Sequence, residues 1–249
     1  MSYFKIIKLN ATPSTNDYLK IRHRSNVASD GELVWALDQT KGRGQRENSW
    51  ESDEKNSLTF SIYKRFEEFS GNDPFLISVV VSLALVYALE QLKIPNIKVK
   101  WPNDILSVNK KIGGVLIENI FSGGKISASV IGVGLNLNQE TFSKLPHATS
   151  LKKAVGIHWH SQEVLNHLIP FLETALLKTD FKNSRVLLEE YQNSLWRFDQ
   201  LSCFDSNSKV FKGLLKKVEA DGSILLKTAE KEKHVTFPNV RMRYDTNCL

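Results

Sequence analysis

The run PFLISVVVSLALVYAL, Pro74 to Leu89, carries no charge over sixteen residues. A helix with no polar face must be covered on every side, so a chain containing one has to build layers around it. The run falls short of the roughly 20 residues that a membrane span needs. It follows Asp73 and opens on Pro74, which suit a helix cap and first turn, and EQLK comes after it. It therefore reads as a buried core helix. At 249 residues the chain can bury such a core in one large domain, or in one medium domain plus a small one.

Strand-like runs enriched in β-branched and aromatic residues occur at YFKIIKL, LVWALD, SLTFSIY, IKVKW, GGVLIENI and KISASVIGVGLNL. The last three are joined by NDILSVNKK and FSGGK, short polar connections that favour antiparallel hairpins over crossovers. Helices are expected after Ser14-Thr15, whose hydroxyls cap the first turn, from Asp73 to Lys93, from Ser161 to Lys178 and from Ser184 to about Trp196. Pro170 is expected to kink or split the third of these. Strands clustered among helices give an α+β fold rather than a doubly wound parallel sheet. After about Phe198 the pattern changes to the short strands KVFKGLLKKVE, SILLKTA and KHVTF, with turn signals such as Ala220-Asp221-Gly222-Ser223. That stretch reads as a small barrel-like module, so the expected division is 1–198 and 199–249.

The N-terminal MSYFKIIKLN has neither a basic leader nor a cleavage site and reads as a first strand. The two cysteines, Cys203 and Cys248, show no metal-like spacing and no disulfide framework, which fits a reducing cytoplasm. The net charge of +6 is compatible with nucleic acid, an anionic cofactor or an acidic partner. The basic residues are scattered, however, and form no nucleic-acid arm. SGGKIS fails the spacing of a phosphate loop, and GVGLNLN lacks a third glycine and a following helix. His158 and His160 would put two imidazoles on one side of a strand, with no further ligand pair nearby, so no protein-only metal site is expected. No G-x-S-x-G is present and neither cysteine has a nearby histidine, so nucleophile chemistry finds no support.

Two clusters remain. ALDQTKGRGQRENSW, Ala36 to Trp50, sets a glycine-rich cationic loop directly after an apolar run. KVKWPNDILSVNKKIGGVLIEN, Lys98 to Asn119, stops a strand at Pro102, presents Asn103 and Asp104, and brings Lys110 and Lys111 before Gly113 and Gly114. Taken singly, the first reads mostly as a solvated surface loop, and the second reads as readily as an ordinary hairpin with a charged tip. Together they supply cations, backbone amides, an Asn-Asp pair and a glutamine without a nucleophile. That suits a reaction whose substrates bring the chemistry while the protein brings charge and positioning.

These residues resemble the biotin–protein ligases over nearly the whole chain. The likeness is carried by STN near the start, Q-x-x-GRG-x-R with a later Trp, KWPND followed by KK-x-GG-x-L-x-E, GVG-x-N-x-N, ATSL, and a C-terminal VRMR. The resemblance implies a mixed β-sheet flanked by helices, of the class II aminoacyl-tRNA synthetase and biotin ligase type, with an SH3-like C-terminal barrel. It implies a cytoplasmic enzyme that activates biotin with ATP and Mg2+ as biotinyl-5′-AMP. The biotinyl group then passes to a lysine of a biotin carboxyl carrier protein domain of a biotin-dependent carboxylase. Carried over, Ser14, Thr15, Asn16, Gln39, Arg43, Gly44, Gln45, Lys111 and Gly114 are the expected biotin contacts. Arg46, Trp101, Asn103, Asn136 and Arg243 are the expected nucleotide contacts. Lys111, Arg43 and Asp104 are the expected catalytic groups, with magnesium carried on ATP near Asp104. The Arg-Gly loop becomes a lid over a hydrolysable adenylate.

Where the family loop often reads GRGRRG, this chain has GRGQRE. Gln45 supplies no charge and Glu47 adds a negative one, so weaker adenylate retention is expected, with Arg46 placed to compensate. The catalytic pattern begins at NATPSTN, which leads to the expectation of the monofunctional type without an N-terminal DNA-binding domain, no nucleic-acid or membrane partner, and a monomer or homodimer. The sister lipoate–protein ligases and octanoyltransferases are the nearest rival, and a basic nucleic-acid module, with salt-steep binding, is the rival from another class.

Overall fold

The computed structural model describes residues 2–45, 48–52, 56–67, 69, 73–142, 145–206, 209–229, 232–236, 239–245 and 248. Strand β1 (Lys5–Thr12) leads through helix α1 (Thr15–Arg24) into β2 (Glu32–Gln39), and the two strands pair in parallel because a helix lies between them. β3 (Ser57–Arg65) returns antiparallel to β2. Helix α2 (Phe75–Gln91) precedes an antiparallel meander of β4 (Ile97–Lys100), β5 (Asp104–Ser107), β6 (Lys110–Ser122) and β7 (Lys125–Asn136). β7 inserts beside β3, closing a seven-stranded mixed sheet in the order β1-β2-β3-β7-β6-β5-β4. Helices α3 (Leu151–Val155), α4 (Ser161–Leu177) and α5 (Ser184–Ser194) follow.

The uncharged run is the central helix. Every residue of α2 from Val79 to Val86 is buried, and α4 and α5 pack against it. Pro74 takes the N-cap position and the helix start has no side-chain cap bond, so the expected Asp73 cap does not form. α4 runs unbroken through Pro170. An internal proline costs about 3 kcal/mol, while burying Leu165, Leu168, Ile169 and Leu172 on the same helix returns roughly 1.5–3 kcal/mol per side chain. Burial wins, and the helix is not split. The connection NDILSVNKK also contains a strand, β5, whose two apolar residues, Ile105 and Leu106, are too few to show a period.

Strand alternation sorts the sheet into two faces. Leu33, Trp35, Ile62, Ile131 and Val133 join α2 and α4 in the main core. Val34, Tyr63, Ala128 and Val130 turn the other way and meet Leu19 of α1.

The chain ends in β8 (Leu201–Ser206), β9 (Lys209–Val218), β10 (Ile224–Lys227), β11 (Glu232–Val235) and β12 (Arg241–Met242), an antiparallel sheet in the order β11-β10-β9-β8-β12. Its edge strands β11 and β12 are not paired with each other among the described residues, so the sheet stays open. Cys203 on β8 and Cys248 form a disulfide, although their spacing shows no obvious disulfide framework. They lie 45 residues apart and meet because β12 pairs with β8, a contact that sequence spacing does not show. Among the described residues no helix is long and apolar enough to cross a membrane.

Candidate active site

The ladder register lays out the site. One row across the sheet runs Ala36, Thr59, Gly134, Gly114, Asp104, Lys100. The row beside it runs Val34, Ser61, Gly132, Leu116. Paired residues on neighbouring strands share a face, so the middle of this face is a trough of small or absent side chains. α1 covers one end, and Asp104 and Lys100 stand at the other. Over the trough lies a cavity of about 500 Å³.

The glycines of GVG therefore serve neither a turn nor a phosphate loop. A Cβ on Gly132 would collide with the Asn16 side-chain amide, and one on Gly134 would come within 2.5 Å of the Trp50 ring. Both residues sit inside β7, hydrogen-bonded to β3 on one side and β6 on the other.

At the covered end, Ser14 caps α1 by accepting from the Asp17 N–H at 3.4 Å. Gln39 Oε1 accepts from the Thr15 N–H at 2.8 Å and from Thr15 Oγ1 at 3.0 Å. Ser61 Oγ lies 2.6 Å from both Thr15 Oγ1 and Asn16 Oδ1. Asn16 Nδ2 donates to Glu118 Oε2 at 2.8 Å and to the Leu116 carbonyl at 3.3 Å. Its amide is thereby locked with the oxygen toward Ser61. Glu118 also accepts from Lys20 at 2.8 Å and from Arg43 at 2.7 Å, and Arg43 reaches Asp17 at 2.9 Å. Burial works against ionisation of Glu118, but the hydrogen bonds from Lys20, Asn16 and Arg43 outweigh it and hold the carboxyl below its ordinary range.

The two described limbs of the Arg-Gly loop, 42–45 and 48–50, are hydrogen-bonded to each other over this end. The Gly44 N–H donates to Asn48 O at 2.7 Å, and the Trp50 N–H donates to Gly42 O at 2.9 Å. Arg43, Gly44 and Gln45 line the cavity. Arg46 and Glu47 lie outside the described residues.

At the open end Lys111 Nζ meets Asp104 Oδ1 at 2.5 Å, and Lys100 Nζ lies 4.0 Å from Asp104 Oδ2. Burial pushes Lys100 down; Asp104 pulls it back, while Lys111 and Arg241 add repulsion. Lys111 is fixed by its backbone, whose N–H donates to His147 O at 2.7 Å and whose carbonyl accepts from the Thr149 N–H at 2.8 Å. Asn136 lines the cavity and donates through Nδ2 to Thr149 O at 3.0 Å. Trp101 and Asn103 also line it, with their side-chain N–H donors engaged elsewhere. The Trp101 indole donates to Gly222 O at 3.1 Å, and the Asn103 amide donates to Val115 O at 2.6 Å.

The structure thus brings Ser14, Thr15, Asn16, Gln39, Arg43, Gly44, Gln45, Trp101, Asn103, Asp104, Lys111, Gly114 and Asn136 around one cavity. Arg243 does not line it. Its guanidinium lies 3.6 Å from Asp245, whereas Arg241, Met242 and Tyr244 of the same segment form part of the wall. Ser61, Glu118, Lys100 and Tyr244 escaped the sequence assignment of roles. Glu118 and Lys100 lie inside the recognised patterns, whereas Ser61 is one of several hydroxyl residues on β3, with Ser57, Thr59 and Tyr63, and nothing local singles it out. No group of three or more His, Cys, Asp or Glu poised to hold a metal occurs among the described residues. His158 and His160 stand in the irregular segment before α4 with ring centroids 5.5 Å apart.

Residues 9–136 match the family described as the biotin/lipoate A/B protein ligase family. The biotin–[acetyl-CoA-carboxylase] ligase of Mycobacterium tuberculosis is 32% identical over 187 residues, 74% of this chain and 68% of that protein. The bifunctional ligase/repressor BirA of Bacillus subtilis is 27% identical over 226 residues, 88% of this chain and 68% of its own length. Among solved structures, the biotin protein ligase from Aquifex aeolicus in complex with biotin and ATP is similar with a TM-score of 0.81 at 28% identity, covering 96% of this chain and 98% of that one.

Proposed function

The chain belongs to the biotin/lipoate A/B protein ligase family, and from that premise we propose that it is a biotin–protein ligase working in two steps through biotinyl-5′-AMP. The supporting observation is the register that puts a neutral hydrogen-bonding pocket and a Lys100-Asp104-Lys111 charge cluster on one trough floor. In the first step a biotin carboxylate oxygen bonds to the α-phosphorus of ATP, while the α–β bridging bond breaks and pyrophosphate leaves with the electron pair. In the second, the amine of a carrier-domain lysine attacks the acyl carbon, AMP departs, and the amine loses a proton.

The hydroxyls of Ser14 and Thr15 and the amide of Asn16 supply the donors and acceptors that a ureido ring needs, with Gln39 bracing Thr15. Gly114 leaves room for the chain of the ligand. Lys111, and Arg43 from the loop, stabilise the charge developing between carboxylate and α-phosphate. Asp104 orients Lys111. Magnesium would enter with the nucleotide and neutralise phosphate charge beside Asp104, which is consistent with a cavity lined by few carboxylates. Asn136, Arg241, Trp101, Asn103 and, from the loop, Arg46 suit nucleotide contacts; Arg241, which lines the cavity, takes the role expected of Arg243, which does not. The loop with Gly42 and Gly44 serves as the lid, with Gln45 expected to hold the adenylate less firmly than an arginine.

The module boundary at 198/199 and an SH3-like character for the C-terminal sheet belong to the same reading. So do a carboxyl carrier protein domain as partner, the absence of a nucleic-acid or membrane partner, and a monomeric or homodimeric state. A cytoplasmic location belongs to the same reading and rests on the need for ATP. The test is mass spectrometry of the small molecules released on denaturing the protein after incubation with Mg-ATP and biotin, lipoate or octanoate. A biotinyl-adenylate in the biotin tube alone is expected. An adenylate only with lipoate or octanoate would move the assignment to the sister ligases.

A further inference from the structure

Tyr244 comes from the C-terminal segment, yet its Oη donates to Asp104 Oδ2 at 3.1 Å, across 140 residues of chain. Asp104 is therefore gripped from two sides, by Lys111 Nζ on Oδ1 and by the phenol on Oδ2. Burial, then the neighbouring Asp104 carboxylate, push the phenol up, so Tyr244 stays protonated and can only donate to that carboxylate.

The ring is fixed as firmly as the hydroxyl. His147 stacks on it at 4.7 Å with planes 8° apart, and Lys100 Nζ lies 4.6 Å from its centroid. His147 is the residue whose carbonyl accepts from the Lys111 N–H. The chain is tethered on both sides of the tyrosine. The Arg243 N–H donates to Cys203 O at 2.8 Å, and Cys248 is bonded to the Cys203 sulfur.

We propose that Tyr244 is a positioning residue for adenylate formation: it carries the C-terminal sheet onto Asp104 and, through Asp104, fixes the Lys111 ammonium against the reacting phosphate. The assignment rests on the ligase reading above. It makes the C-terminal sheet a part of the charged end of the site rather than an appendage beside it.

Tyr244→Phe removes one hydroxyl and keeps the ring on His147 and Lys100. In the full chain, biotin-dependent pyrophosphate release should lose about tenfold in kcat, the scale of one hydrogen bond to a charged group. KM for biotin and the thermal midpoint should be essentially unchanged. In an Asp104→Asn background the same substitution should add less than about a twofold change, because the two act as one unit. Unchanged kcat in Tyr244→Phe, or a full tenfold loss on top of Asp104→Asn, overturns the assignment. Wild-type protein that releases no pyrophosphate with biotin overturns the ligase reading instead. In that case, or if Asp104→Asn turns over too slowly to time, the same cycle is read on Mg-ATP binding by calorimetry, with the same criteria. There, a loss with Tyr244→Phe that disappears in the Asp104→Asn background supports the coupling; no loss, or an additive one, ends it.

Discussion

At the covered end of the cavity the polar groups come from α1, from the paired strands β2 and β3, and from β6 across β7, and they hydrogen-bond to one another. Thr15, Asn16, Gln39 and Ser61 form one hydrogen-bonded set, closed by Glu118. At the open end the groups come from β4, β5, β6, the segment around His147 and the C-terminal sheet, and they carry net positive charge around one carboxylate. The first arrangement selects a neutral, shaped head group, because a buried donor or acceptor left unmatched costs about 1–3 kcal/mol. The second attracts phosphate with little regard for shape. One cavity thus divides recognition from charge stabilisation, and variants at one end should leave the other intact.

Lys111→Ala gives the largest expected break. It should cut adenylate formation by about 10²–10³-fold, the range seen when a preorganised charge-stabilising donor is removed. Biotin binding measured by calorimetry should move less than about threefold. If both fall together, the two ends are not separate.

Gly132→Val tests the covered end. The new side chain would strike the Asn16 amide, which Ser61 and Glu118 prevent from yielding. Biotin binding should weaken by about 30-fold or more, on the scale of the roughly 1–3 kcal/mol cost of overpacking plus a lost hydrogen bond. Mg-ATP binding, followed in the same titrations, should be retained.

The smallest effect concerns pH. The folded value of Glu118 is depressed, so its contribution to stability is present above the ordinary carboxylate range and is lost as pH falls through the folded value. Glu118→Gln should therefore melt a few degrees below wild type at pH 7, and the gap should close as the pH is taken toward 3. A gap that stays constant down to acid would mean that the carboxylate does not hold the Lys20, Asn16 and Arg43 cluster together.

At both ends the sequence disclosed what is local and left out what comes from distant chain. The Arg-Gly loop and the stretch from Lys98 to Asn119 are local clusters, so their chemistry is visible in consecutive residues. The hairpin pairing of β6 and β7 followed from short polar turns. Ser61 and Glu118 became partners of Asn16 only through the insertion of β7 between β3 and β6, an order that no single strand encodes. The parallel pairing of β1 with β2 is of the same kind. Tyr244 and the Cys203–Cys248 bond depend on contacts over 140 and 45 residues, where alternation and turn chemistry carry no information. Pro170 shows the opposite failure: a strong local rule lost to the burial of four neighbours.

The floor at Gly132 and Gly134 makes the depth of this pocket a one-way quantity. Glycine has no smaller replacement, and the strand that carries both residues is clamped by its neighbours on either side. Substitution there can raise the floor but never lower it. A variant meant to accept a bulkier head group has to take its space from the walls, at Asn16 or Trp50, whose side chains are what the two glycines make room for. At Asn16, any change in ligand range is thereby forced onto a residue that also does the recognising.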